Sequence, residues 1–386
     1  MLALILSPMS AEAKNNCPPT FLAISQHSQH LKSNTVISFS EAYELRLKKE
    51  IFDQNILKKE ISKNKTLQKE IRDIFPRLDA ILGKLQLEKI NIAFNEQFSL
   101  LQSVFMPAFQ EIQIGIRESL DSAKLLPTLL HEYGHAIFHK NIRILIQGRR
   151  ISPLKEFFDR NDLNHAFFSI DMKLRFATNK LSSTEVRGLQ EQKKVLEKEL
   201  AECDARGSLP SPLELKEIDN MLWPYNEMFA DLIVAFYYRD GKIMADSIGF
   251  AKQRPYFGPL EKDATGLPQH RQNNPNGSRP RDFTETSSFK GWKSEGKVNG
   301  QDSPHSVLDP SRGAMWKILL GKLRKDVKPE QVLNAYLEAT SVHYSLRLSR
   351  GEKSTDAHDW EALNKEFFRT LIDEFKKLNL WRSSGN

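Results

Sequence analysis

Long apolar runs are absent from this sequence: nowhere in its 386 residues do 18 apolar side chains follow one another, so a membrane-spanning helix is excluded. Cysteine is scarce. The two that occur, Cys17 and Cys203, allow at most one disulfide, tying the N-terminal region to the middle of the chain, or else two thiols that never meet. No internal repeat is visible. Segregated charge is missing as well, although 56 Lys and Arg against 49 Asp and Glu leave a formal net charge of +7. The basic residues are scattered among acidic ones, which suits solvated helix faces and provides no stripe for nucleic acid. An anionic-polymer binder built on the net charge is the competing reading. What is present is ordinary globular material, 40% hydrophobic and 27% charged, in a chain long enough for a large core and more than one structural unit.

The N-terminus carries a short apolar run, Leu2 to Leu6, ahead of Ala11-Glu12-Ala13, a site of the kind signal peptidases accept. A signal peptide over residues 1–13 is the expectation, and with it a secreted, periplasmic or cell-envelope location. A cytoplasmic protein with an unstructured tail is the alternative. Residues 14–88 are expected to be a helical region, with Ser38 and Glu41 forming a capping box. The period then changes: Ile90, Ile92 and Phe94, and again Ile112, Ile114 and Ile116, alternate with polar or small residues and predict two short strands. A helix is predicted from Lys124 to about Lys140, with Pro127 in its first turn. Between about 181 and 222 two charged helical stretches, the first opened by Ser182 and Glu185 and the second by Ser211-Pro212, read as a helical hairpin inserted into a catalytic domain spanning 89–386. Pro224 is expected to break the chain before a helix from Tyr225 to Arg239. Residues 262–304, rich in Pro, Gly, Asn and Ser, form a long loop, and further helices follow Asp309-Pro310.

The chemistry concentrates in Leu129-Leu130-His131-Glu132-Tyr133-Gly134-His135, an HExxH motif on a predicted helix just after a predicted strand. Residues i and i+4 share a helix face, so the imidazoles of His131 and His135 can reach one ion, with Glu132 beside them to take a proton from a metal-activated water. A hydrolytic zinc site needs a third protein ligand and an open fourth position. The extended HExxHxxGxxH pattern fails, because Phe138 and Asn141 stand where Gly and His would be. The better source is Asn226-Glu227-Met228-Phe229-Ala230-Asp231. Glu227 and Asp231 are spaced i, i+4 on an otherwise apolar helix, where inward carboxylates are costly without positive partners. A metal for one and a metal-bound imidazole for the other would compensate both; a solvated acidic face is the other reading.

HExxH followed by NExxxD resembles the gluzincin clan of zinc metallopeptidases, and the wording of both motifs is similar to that of the thermolysin-like peptidases. The resemblance covers two helices and a later segment. It departs from thermolysin in the longer stretch between His135 and Glu227. It implies one zinc per chain on His131, His135 and Glu227, with Asp231 orienting a liganding imidazole and Asn226 beside it. It further implies an edge strand along which substrate lies, for which Glu111 to Ile116 is the match, with Ile112, Ile114 and Ile116 facing the peptide. An ordinary core strand is the plain alternative. A transition-state oxyanion needs a donor from outside the two metal-binding helices. His305 lies where the long loop ends, ahead of a helix, in a stretch similar to the thermolysin-like segment holding the catalytic histidine. Asp302 is placed to orient its ring, and Arg312 is placed at the substrate, with Tyr225 and Arg312 the other donors to consider.

The expected fold is therefore α+β and zincin-like: a small sheet beside the HExxH helix and a mainly helical C-terminal lobe. The expected function is zinc-dependent hydrolysis of a peptide or protein substrate. A catalytically inactive, metallopeptidase-like binding module is the alternative.

Overall fold

Alternation decides the sheet. The computed structural model describes residues 36–41, 65–87, 89–95, 100, 103–106, 111–116, 122–146, 149–152, most of 163–175, 181–205, 212–247, 281–284, 290, 297–298, 301–302, 305, 307–354 and 358–382. In β1 (Val36–Glu41), Ile37 and Phe39 alternate with Ser38 and Ser40, a period of two that overrides the capping-box spacing read at Ser38 and Glu41. That stretch is a strand and not the start of a helix. It pairs in parallel with β2 (Lys89–Asn95), Ile37 opposite Ile90 and Phe39 opposite Ile92. β2 continues in parallel onto β4 (Glu111–Gly115), and β3 (Val104–Met106) closes that side antiparallel to β4. The order is β1-β2-β4-β3, so β2 and β4 are inner strands and β1 and β3 are the two edges. All five residues of β4 are buried, as a strand flanked by neighbours on both sides should be.

The boundary expected at residue 88 does not exist, because β1 supplies ladder bonds to the sheet that precedes the HExxH helix. The chain divides elsewhere: one compact unit holds the described residues between 156 and 209, and the other those of 24–155 and 210–386. In the smaller unit, α3 (Ser183–Ala205) opens on the capping box expected at Ser182 and Glu185: the Ser182 hydroxyl accepts from the Glu185 N–H, and the Glu185 carboxylate accepts from the Ser182 N–H at 2.7 Å. Its Leu196 packs with Leu163, Ala166 and Ile170 in a core of the unit's own.

In the larger unit α1 (Lys65–Leu82) buries Leu67, Ile71, Ile74, Phe75, Leu78 and Leu82 along one face and keeps Pro76 exposed. α2 (Ser122–Asn141) carries HExxH; it starts early enough to put Pro127 in its second turn. α4 (Pro212–Tyr238) runs unbroken through Pro224, so the expected hairpin dissolves: its second limb is the first half of the helix bearing Glu227. A proline removes one i to i−4 bond, and here the buried flanks of the helix, Met221, Leu222, Tyr225 and Met228, outweigh that loss. The helix ends at Arg239, which adopts φ of 58°, with the Asp240 N–H reaching back to the Ala235 carbonyl. A short α5 (Ile243–Ser247) follows. The C-terminal lobe comprises α6 (Asp309–Gly321), α7 (Pro329–Ser349) and α8 (Trp360–Lys377), with α8 packed on α6 and α7 through Leu363, Phe367, Leu371 and Phe375. Rings of Phe138, Phe229, Tyr336, Phe367 and Tyr225 succeed one another at centroid spacings of 5.0 to 5.6 Å and link α2, α4, α7 and α8 into one core.

Among the described residues no helix is long and apolar enough to cross a membrane. Residues 1–13, Cys17, the helical stretch expected over 42–64 and most of the 262–304 loop lie outside the described residues, as does the side chain of Cys203.

Candidate metal centre

The site forms where α2 crosses α4, and the crossing is close because Gly134 faces Ala230. A Cβ on Gly134 would lie 2.6 Å from the Ala230 Cα. One residue beyond Gly134 is His135, three before it is His131, and three before Ala230 is Glu227, so this contact brings the three side chains together. His131, Glu132 and His135 place ligand atoms within 4.8 Å of one another and can hold a metal ion.

Each imidazole is oriented from behind. His131 Nδ1 lies 2.9 Å from Asp231 Oδ1, and His135 Nδ1 lies 2.9 Å from Asn226 Oδ1. Both carboxylate and amide oxygen accept an Nδ1–H, which leaves a lone pair on each Nε2; that of His131 faces the Arg281 guanidinium at 2.9 Å. Those two Nε2 atoms lie 3.3 and 3.6 Å from the Glu227 carboxylate oxygens. Donors bound to one tetrahedral zinc at about 2.1 Å are separated by roughly 3.4 Å, so this donor set fits a zinc in size and in chemistry.

The surroundings are unusually charged for an interior. Glu227 also accepts from Trp223 Nε1 at 2.9 Å and meets His305 Nδ1 at 2.8 Å. Burial works to raise its pKa, but His305, His135 and His131 prevail and hold it well below the usual carboxylate range. Glu132 is the contrast. Burial, reinforced by the charge of Glu227, pushes it up to about 7, against the pull of His135 and of the Phe105 N–H that donates to its Oε2 at 2.8 Å. Asp231, completely buried, is likewise driven up by burial, yet Arg281 and Arg312 more than offset this and keep it ionised.

Arg281 was not legible in the sequence. It sits in a polar stretch without periodicity, yet its guanidinium is buried and bonds Asp231 through Nε at 3.1 Å and through a terminal nitrogen at 2.5 Å. The same terminal nitrogen lies 2.9 Å from His131 Nε2 and 3.8 Å from Glu227, facing the metal-side donors with a positive charge. Trp223 was hidden for another reason: it stands four residues before Glu227 on one helix face, a relation concealed by reading Pro224 as a break.

Three assignments change. Ile112 and Ile114 are completely buried, so these side chains pack the sheet and do not line a substrate edge, and Ile116 lies half-buried just past the end of β4. The edge beside Glu132 is β3. Arg312 has no exposed surface and spends its guanidinium on Asp309, on Asp231 and on the carbonyl of His305, so it cannot touch a substrate. Tyr225 is buried with its hydroxyl 2.8 Å from His343 Nδ1, which removes it as an oxyanion donor. His305 itself is brought to the site, bonded to Glu227 with its side chain 36% exposed. Asp302 lies in the short strand β6 (Gln301–Asp302), which pairs with β5 (Lys297–Val298); its side chain lies outside the described residues. Compared with protein-family models, curated proteins and solved structures, the chain matches none of them.

Proposed function

We propose that this protein is a zinc-dependent peptidase of gluzincin type, with His131, His135 and Glu227 as ligands and Glu132 as general base. The observation that carries the reading is the pair of Nδ1-anchored imidazoles whose Nε2 atoms converge on the Glu227 carboxylate at 3.3 and 3.6 Å. Bound there, zinc supplies a Lewis acid that polarises a carbonyl and lowers the pKa of a water to about 7.

The residues of the chain do the rest. Glu132, buried and held by the Phe105 N–H, accepts a proton from the attacking water and passes it to the leaving amine nitrogen. His305, anchored to Glu227 through Nδ1–H and open to solvent on another side, donates from Nε2–H, with both ring nitrogens protonated, to the oxygen on which negative charge develops. Asp231 and Asn226 keep both ligand imidazoles in the tautomer that binds metal.

The test joins metal analysis to hydrolysis of a mixed peptide library with and without chelator. About one zinc per chain is expected, with cleavage that chelation abolishes. Glu132→Gln should retain the zinc and lose hydrolysis by about two to four orders of magnitude. Activity within tenfold of the parent would remove Glu132 as base, and a zinc-loaded protein that cleaves nothing would be a binding module.

A further inference from the structure

We propose that Arg312 is a positioning residue for His305, a buried strut that ties the backbone of that histidine to the carboxylate behind His131. The guanidinium has no exposed surface. One terminal nitrogen donates to the His305 carbonyl at 2.5 Å and also to Asp309. The other lies 3.1 Å from Asp231 Oδ2, an ion pair without the alignment of a hydrogen bond. Asp231 in turn meets His131 Nδ1 at 2.9 Å. One planar group therefore joins the first turn of α6, the turn at His305 and the helix that carries Glu227.

Among the described residues the His305 ring has one bond, to Glu227, and its side chain is more than a third exposed. Behind it Val307 and Leu308 are buried and Arg312 begins its helix bonds with an N–H to the Leu308 carbonyl at 2.9 Å. The carbonyl contact fixes the peptide plane after His305 and with it the direction in which Cβ leaves the backbone. An apolar side chain would fill the same volume at lower desolvation cost, so a charged fork there is explained by the three acceptors it reaches together. A lysine in its place has one ammonium on a flexible stem and cannot span Asp231 and the His305 carbonyl.

The catalytic consequence rests on His305 acting as proposed above; the placement does not. The experiment uses full-length Arg312→Lys, and also the pair Asp309→Asn with Arg312→Met, which removes both members of the buried ion pair and keeps the test readable if the single variant fails to fold. In the metal-free protein, ring ¹⁵N signals of His305, assigned by their loss in His305→Ala, should report one fixed tautomer, and in either folded variant they should average. With peptide substrate, kcat should fall at least tenfold while KM stays within threefold, and the same change in a His305→Ala background should produce no further fall. Unchanged ring signals in a folded variant, or an equal kcat loss without His305, would overturn the assignment. If the parent cleaves no peptide while the ring signals still average, the strut stands and the peptidase reading falls.

Discussion

Replacing Gly134 by alanine tests whether the helix crossing sets the metal geometry. The added Cβ would lie 2.6 Å from the Ala230 Cα, 3.0 Å from its Cβ and 3.2 Å from its carbonyl oxygen. Carbon atoms in contact prefer about 3.5–4.0 Å, so α2 and α4 must part by roughly 1 Å at this point. The obstacle is backbone, which no rotamer change can relieve. Overpacking of this kind costs about 1–3 kcal/mol, and the better helix propensity of alanine returns about 1 kcal/mol, leaving a net loss of up to roughly 2 kcal/mol. The effect on the ion should be sharper. Metal–ligand distances tolerate about 0.2 Å, so parting the helix of His131 and His135 from that of Glu227 should weaken zinc binding at least tenfold. Zinc competition against a chromophoric chelator reads the second quantity, and denaturant unfolding in excess chelator reads the first. Gly188→Ala is the internal control: nothing lies within 4 Å of its added Cβ, so it should stabilise α3 by about 1 kcal/mol and leave zinc untouched. A Gly134→Ala protein with full zinc affinity and undiminished stability would refute the reasoning.

Glu227→Ala should weaken zinc binding more than about a hundredfold, and Asn226→Ala, which frees only the rear of His135, about tenfold; equal effects would move the third ligand elsewhere. His343, buried between the Tyr225 hydroxyl and Glu366, is pushed down to about 4 by burial and by Arg347. An unfolded histidine titrates near 6.5, so the unfolded chain takes up its proton first, and the stability present at pH 7 falls by roughly 2–3 kcal/mol on the way to pH 4.5. Denaturant titrations at the two pH values should show a smaller loss in His343→Gln, and an identical loss would acquit His343.

Much of the site was legible because it is written in helical spacing. His131 with His135, and Glu227 with Asp231, are i, i+4 pairs, and a helix turns that spacing directly into a shared face. Relations that cross between elements carried no such signature. Arg281 lies in a polar stretch, and only the fold brings it against Asp231. Phe105 contributes a backbone N–H, which no side-chain pattern can announce. Strand identity was legible from alternation in β2 and β4, but strand order was not: whether β4 lies inside the sheet depends on β1 and β3, and three residues of β3 are too few to show a period. Pro224 misled because a local rule was applied to a helix that tertiary packing holds together.

The bond from Phe105 to Glu132 bears on how the molecule behaves in a crowded solution. A sheet border normally presents a row of idle donors and acceptors, an invitation to the strand of another molecule and a route to aggregation. On its β3 side the border is only three residues long, and the N–H of its middle residue is already committed to a carboxylate of its own chain. A neighbour adding there would have to displace that carboxylate and would gain few bonds in exchange. The contact that restrains Glu132 is thus also a guard on that edge, and a substitution that withdrew the carboxylate should cost colloidal stability as well as chemistry.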